Sequence, residues 1–331
     1  MPLAESLDDT TTAEHGSAPV VVVNRTLLVV ESGGGGGTDL TGAILTSTSL
    51  DCADSVGSYT SNSTDQPTGR ECMGSLEITA TDDECTFVTN QIPNDDIGEG
   101  AQFANEAGPV DDRLVITRSP ELAESTSVLD LGATVIMLNG VKWEGYSAAC
   151  FSVGGQQPGR ETSGCGSGQL DNPWRCNIAS PLNDFNLDVF LAHAQADGWY
   201  HDHSTPAVLD AVECEGVDVS PVIGFAADGF PLHGPCFGDD SGAIRAAQPS
   251  YELRSGRRQD IGGYTTPYAV GNVQSDDYNC QFIGHYQYVE GLGNLDECNG
   301  MVVDGSYGYY VTAEYPYVPA CYSGTRSTEF D

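Results

Sequence analysis

The chain has 331 residues, and its 12 Lys and Arg face 48 Asp and Glu, for a formal net charge of −36. Such an acidic surface repels nucleic-acid phosphates and anionic lipids, so no nucleic-acid partner is expected. No stretch approaches the ~18 consecutive apolar residues of a spanning helix, so no membrane span is expected.

Residues 1–17 read as a polar, flexible tail without the apolar core of a secretory leader. Export would then require that a leader has already been removed, or another route. Residues 18–73 read as a small N-terminal β segment, carrying VVVVNRTLLVV (20–30) and a glycine tract, Gly33 to Gly37, that reads as a flexible hinge or a tight multi-turn. The apolar strand is either an edge or core strand of its own domain, or one that adds to a neighbouring subunit and drives self-assembly into an oligomer or filament. Residues 74–324 read as one domain of short strands and turns, with a hairpin signal at Asn139-Gly140 and a short helix near Ser204 to Val212. Residues 325–331 form a second tail. The fold class is all-β or mainly β: a disulfide-stabilised, sandwich-like domain with short helices.

Cysteines stand at 52, 72, 85, 150, 165, 176, 214, 236, 280, 298 and 321, dispersed and without a CxxC pair. This spacing argues for disulfides in a secreted, extracellular or cell-surface protein rather than a zinc ribbon. The odd total leaves at least one thiol unpaired within the chain. The expected bridges are Cys150–Cys165, Cys298–Cys321 and Cys52–Cys72. Each closes a turn-rich loop and would stabilise the fold by roughly 3 kcal/mol.

The stretch from His193 to His203 carries the chemistry. His201 and His203 share one face of a strand, because side chains alternate. Asp197-Gly198 marks a turn. A three-residue loop, Ala196 to Gly198, would set His193 opposite His201, whereas a two-residue loop would set it opposite Asp202. Three converging imidazoles suit copper or zinc. His233 and His285 are possible further members. Acidic pairs in loops, Asp95-Asp96, Asp239-Asp240, Asp276-Asp277 and Asp296-Glu297, would suit calcium. Neither a GxSxG elbow, an HExxH helix nor a P-loop is present, so no catalytic residue is assigned.

Tyr200-His201-Asp202-His203 resembles the Tyr-His-Tyr-His signature of the YHYH family, with Asp202 in place of its second tyrosine. CTFVTNQIPNDD (85–96), VIMLNGVKWEG (135–145), AACFSVGG (148–155), NPWRCNIASPLNDF (172–185), IGFAADGFPLHG (223–234), NLDECNG (294–300) and YGYYVTAEYPYVPACYSG (307–324) are similar to further family blocks, in family order. The resemblance spans about residues 74 to 324. It implies an exported protein with a metal site, and no established reaction. His193, His201 and His203 fall on histidine positions of the family pattern. Phe190 and Asp95 stand where family members often carry histidine, and His233 where a tyrosine is usual. The resemblance therefore allows a site that is lost, or rebuilt with His233 or Asp202.

The expected function is an extracellular or cell-surface metal-binding protein that uses the histidine hairpin. The alternatives are a structural subunit of a surface layer or filament, and a metal-dependent enzyme with Asp202 or Asp228 as acid or base.

Overall fold

The computed structural model describes residues 26–29, 37–153, 161–204, 214 and 218–330. The expected tail at 1–17, the hinge glycines before Gly37 and the helix expected beyond Ser204 lie outside these residues. In chain order the strands are β1 (Thr26–Val29), β2 (Thr38–Asp39), β3 (Ala43–Thr46), β4 (Gly57–Asp65), β5 (Arg70–Ala80), β6 (Glu84–Thr89), β7 (Asp112–Thr117) and β8 (Leu122–Val128). There follow β9 (Val135–Met137), β10 (Lys142–Trp143), β11 (Ala149–Phe151), β12 (Glu161–Ser163), β13 (Ala192–Ala194), β14 (Tyr200–Asp202), β15 (Val222–Ala226) and β16 (Pro231–His233). The last are β17 (Cys236–Gly238), β18 (Ile244–Ala246), β19 (Tyr251–Leu253), β20 (Tyr286–Tyr288), β21 (Gly300–Val303), β22 (Ser306–Tyr310) and β23 (Cys321–Gly324). Among the described residues the helices are single 3-10 turns, at Cys52–Ser55, Ser167–Gln169 and Ile283–His285. The protein is mainly β.

Two sheets dominate, in the orders β2-β4-β5-β6-β7 and β13-β14-β10-β9-β15-β16-β22-β21. In the smaller sheet one face is buried and the other open, as the alternation of Tyr59, Ser61, Ser63 and Asp65 with exposed neighbours along β4 shows. The central strands of the larger sheet are buried on both faces, as in Val222–Ala226. Ile78, Phe87, Leu114 and Ile116 of the smaller sheet meet Ile136, Val222 and Phe225 of the larger one in a single core cluster. Phe87 and Phe225 bring their ring centroids to 6.4 Å across that layer. Val135, Met137, Trp143, Ile223 and Leu232 fill the opposite face of the larger sheet. This layering is sandwich-like.

At Asn139-Gly140 the expected hairpin forms between β9 and β10, with Gly140 at φ 88°. Strand β1 pairs in parallel with β3 of the same chain, Thr26 opposite Ala43. The anticipated boundary at residues 73 and 74 falls within β5, whose pairing with β4 runs from Gly57 opposite Ile78 to Asp65 opposite Arg70. Residues 325–330, expected as a tail, run against β7. Val115 donates its N–H to the Glu329 carbonyl at 3.0 Å, and Phe330 is fully buried.

Four disulfides crosslink the fold: Cys52–Cys85, Cys150–Cys165, Cys214–Cys236 and Cys298–Cys321. Cys150–Cys165 and Cys298–Cys321 are as expected. Cys52 corrects the third expectation, because it joins Cys85 and not Cys72. Cys85 stands opposite Ala80 at the end of β5. From residue 72 to residue 80 the extended strand covers roughly 27 Å, far outside disulfide reach. Cys72 instead packs in a separate cluster with Ile92, Ile97 and Tyr200. Cys72, Cys176 and Cys280 form no disulfide among the described residues.

Candidate metal centre

The histidine segment folds as the β13–β14 hairpin at one end of the larger sheet, with His193 directly opposite His201. Gln195 donates its N–H to the Trp199 carbonyl at 2.9 Å, and Gly198 donates to the Gln195 carbonyl at 3.0 Å. Gly198 holds φ 93°, a left-handed angle that a side chain would strain. The loop is therefore the three-residue one, Ala196 to Gly198, and the register that would oppose His193 to Asp202 does not occur. His203 follows β14 and is tied back by its N–H to the Leu191 carbonyl at 3.0 Å.

This register brings the three imidazoles together. His201 Nε2 lies 2.9 Å from His203 Nε2, which lies 3.1 Å from His193 Nε2. The other nitrogen of each ring faces a backbone carbonyl. His193 Nδ1 is 3.1 Å from the Phe185 oxygen, His201 Nδ1 is 3.3 Å from the Trp199 oxygen, and His203 Nδ1 is 3.0 Å from the Glu144 oxygen. A carbonyl only accepts, so these partners assign the proton to Nδ1 in all three rings. Each Nε2 then turns a bare lone pair toward the other two.

Three facing lone pairs repel one another unless a cation sits among them. A proton is a poor candidate. Burial pushes His201 down to about 3, drives His203 well below its ordinary range and lowers His193. A metal ion is held by unprotonated nitrogen and suits the same arrangement. A tetrahedral ion about 2.0–2.1 Å from each nitrogen spaces them at roughly 3.3 Å, so opening by a few tenths of an ångström would admit it.

One acidic side chain that no local sequence signal marks stands beside the triad. Glu144 follows β10, which pairs in parallel with β14 and sets Lys142 opposite His201. Its carbonyl orients His203, while its carboxylate Oε2 reaches to 3.4 Å from His201 Nε2. Gln195 donates its side-chain amide to the other carboxylate oxygen at 3.1 Å. Burial raises the Glu144 carboxyl to about 7, against the lowering effects of Lys142 and Gln195. Lys142 is itself buried, with Nζ 2.5 Å from an Asp112 carboxylate oxygen and 3.8 Å from the centroid of the Trp199 ring.

The other candidate ligands lie elsewhere. Asp202 belongs to the opposite face of β14, beside Tyr200, whose phenol is raised by burial and then by the charges of Asp188, Asp202 and Asp95. His233, in β16, stacks on Tyr310 of β22, with β10, β9 and β15 standing between it and β14, so it does not reach the triad. His285 accepts from the Arg258 guanidinium at 2.7 Å in a separate aromatic cluster. Asp228 is engaged by the Tyr309 hydroxyl at 2.6 Å and the Gly324 N–H at 2.9 Å. In the acidic loops, Asp239 accepts from Ser241, Ala243 and Arg245, and Asp296 from Cys298, Gly300 and Tyr307. Among the described residues the other close group of metal-ligating types is Asp51 with Cys52 and Cys85, whose sulfurs are already joined.

Taken together, fold and site define a disulfide-crosslinked β protein with a largely buried three-histidine cluster at an edge hairpin. The chain belongs to the YHYH family: the family model described as YHYH protein matches residues 113–324, a span that includes the hairpin and residues 200–203. No curated protein and no solved structure matches it.

Proposed function

We propose that the protein is an extracellular or cell-surface metal-binding protein whose His193, His201 and His203 hold one copper or zinc ion. The observation that carries this reading is the convergence of three Nε2 atoms whose Nδ1 partners are all carbonyls. Four disulfides and the acidic, lysine-poor composition support an oxidising location. Metal analysis after incubation with micromolar copper or zinc and desalting tests it. One equivalent per chain is expected, and neither metal being retained would sink the reading.

The pH dependence has a definite sign. The ligand form is the neutral imidazole, and burial holds His201 at about 3 in the metal-free fold. Protons therefore compete only well below the ordinary value of about 6.5. Uptake is expected to stay level from neutral pH down to about pH 5 and to fall in more acid solution. The unfolded chain takes up these protons from about pH 6.5 downward, so the triad's contribution to stability is complete above that value and is lost as pH falls toward the folded value. A binding midpoint near pH 6.5 in a metal titration would contradict the burial argument.

A further inference from the structure

We propose that Lys142 and Asp112 condense into an isopeptide bond, an amide that ties the two main sheets together covalently and releases one water. The bond does not depend on the metal centre. Asp112 opens β7 at the edge of the smaller sheet, and Lys142 opens β10 of the larger one. Lys142 Nζ lies 2.5 Å from Asp112 Oδ2, and the two side chains are 5% and 14% exposed. Gln91, fully buried, fixes the geometry from both ends. Its Oε1 accepts the Lys142 main-chain N–H at 3.0 Å, and its Nε2 donates to Asp112 Oδ2 at 3.1 Å. The Trp199 ring covers the amine, 3.8 Å from Nζ to its centroid, and keeps bulk water from that side. Lys142 is also the chain's only lysine. Wherever else the chain carries a permanent cation it uses arginine, as in the ion pairs of Arg118 with Asp51 and Arg245 with Asp239. A guanidinium pairs with a carboxylate at least as well, but a primary amine is the group that forms an amide.

Two buried charges are costly to hold out of water, and condensation removes both. Amine and acid fixed in contact react as parts of one molecule, which overcomes the dilution that separates free partners. One proton passes across the existing contact from the ammonium to Oδ2, leaving a neutral amine and a carboxylic acid. The nitrogen lone pair then forms a bond to Cγ. Oδ1, which accepts the Arg113 N–H at 2.9 Å, carries the negative charge of the adduct and remains as the amide oxygen. A second proton moves from nitrogen to Oδ2, the bond from Cγ to Oδ2 breaks, and water departs. Of the ammonium hydrogens one stays on the amide and the others leave in the water, and nothing is oxidised or reduced.

The test takes the full chain, reduced and denatured, to intact mass measurement and to digestion with a lysine-specific protease. The wild type is expected to be one water lighter than its sequence. It should also stay uncut, because an acylated lysine is not cleaved and the chain has no second one. Chymotryptic digestion should yield a branched peptide joining residues 112 and 142. Lys142→Arg is expected to recover the full mass. Wild type at the full sequence mass, or cleaved after Lys142, overturns the inference. The same loss of water in Lys142→Arg also overturns it, because the dehydration would then lie elsewhere, as in a succinimide at Asp197-Gly198.

Discussion

His201→Ala/His203→Ala is expected to abolish copper and zinc binding while the fold persists. Two of the three nitrogen donors disappear, and the remaining one, on His193, is an ordinary monodentate site. Affinity should fall at least about 1,000-fold, equivalent to about 4 kcal/mol. The fold should survive because the removed rings face one another and not the core layer between the sheets, which Phe87, Ile136 and Phe225 fill. Deleting buried ring atoms leaves a cavity, with a cost in the range of about 2–4 kcal/mol. Relief of the lone-pair repulsion in the metal-free protein offsets part of that. Competition with a chelator of known affinity measures the first effect and thermal melting the second. A double variant that still retains its ion would show that the metal lies elsewhere.

Removing the Cys52–Cys85 bridge should have the largest effect on stability of any single crosslink. It closes the longest loop of the four, with a sequence separation of 33 against 15, 22 and 23. Loop-closure entropy puts its contribution at about 4 kcal/mol. It also pins the 3-10 turn at Cys52–Ser55 to the start of β6, where Cys85 is fully buried in the same cluster as Leu76 and Phe87. Cys52→Ala/Cys85→Ala is expected to melt roughly 6 °C below wild type. Cys72→Ala, which breaks no crosslink, should shift the melt far less. Non-reducing peptide mapping that joins Cys52 to Cys72 would refute both the pairing and this ordering.

The hairpin was legible because each of its signals is local. Asp197-Gly198 announces the turn, and the two-residue spacing of His201 and His203 fixes their common face. The register was not legible, since a loop of two residues and one of three both satisfy Asp-Gly. Only the left-handed Gly198 and the Gln195–Trp199 hydrogen bond decide it. Asp202 fails as a ligand for a reason already present in the spacing: it lies one residue from each histidine and so on the other face. Glu144 is not legible in the sequence, because it arrives through a parallel pairing between β10 and β14, and nothing in the sequence near Trp143 encodes that partner. The partner of Cys52 is hidden in the same way. Its nearest cysteine along the chain is at the far end of a long strand, and proximity in sequence says little about separation across a sheet.

Trp199 gives the centre an optical reporter. Its ring centroid stands 5.1 Å from that of His201, and the chain has three tryptophans in all. An open-shell cupric ion held by His201 would quench the indole emission at that range, whereas a closed-shell zinc ion would leave it bright. The fluorescence of the protein thus distinguishes the two candidate metals during a titration, without any label attached.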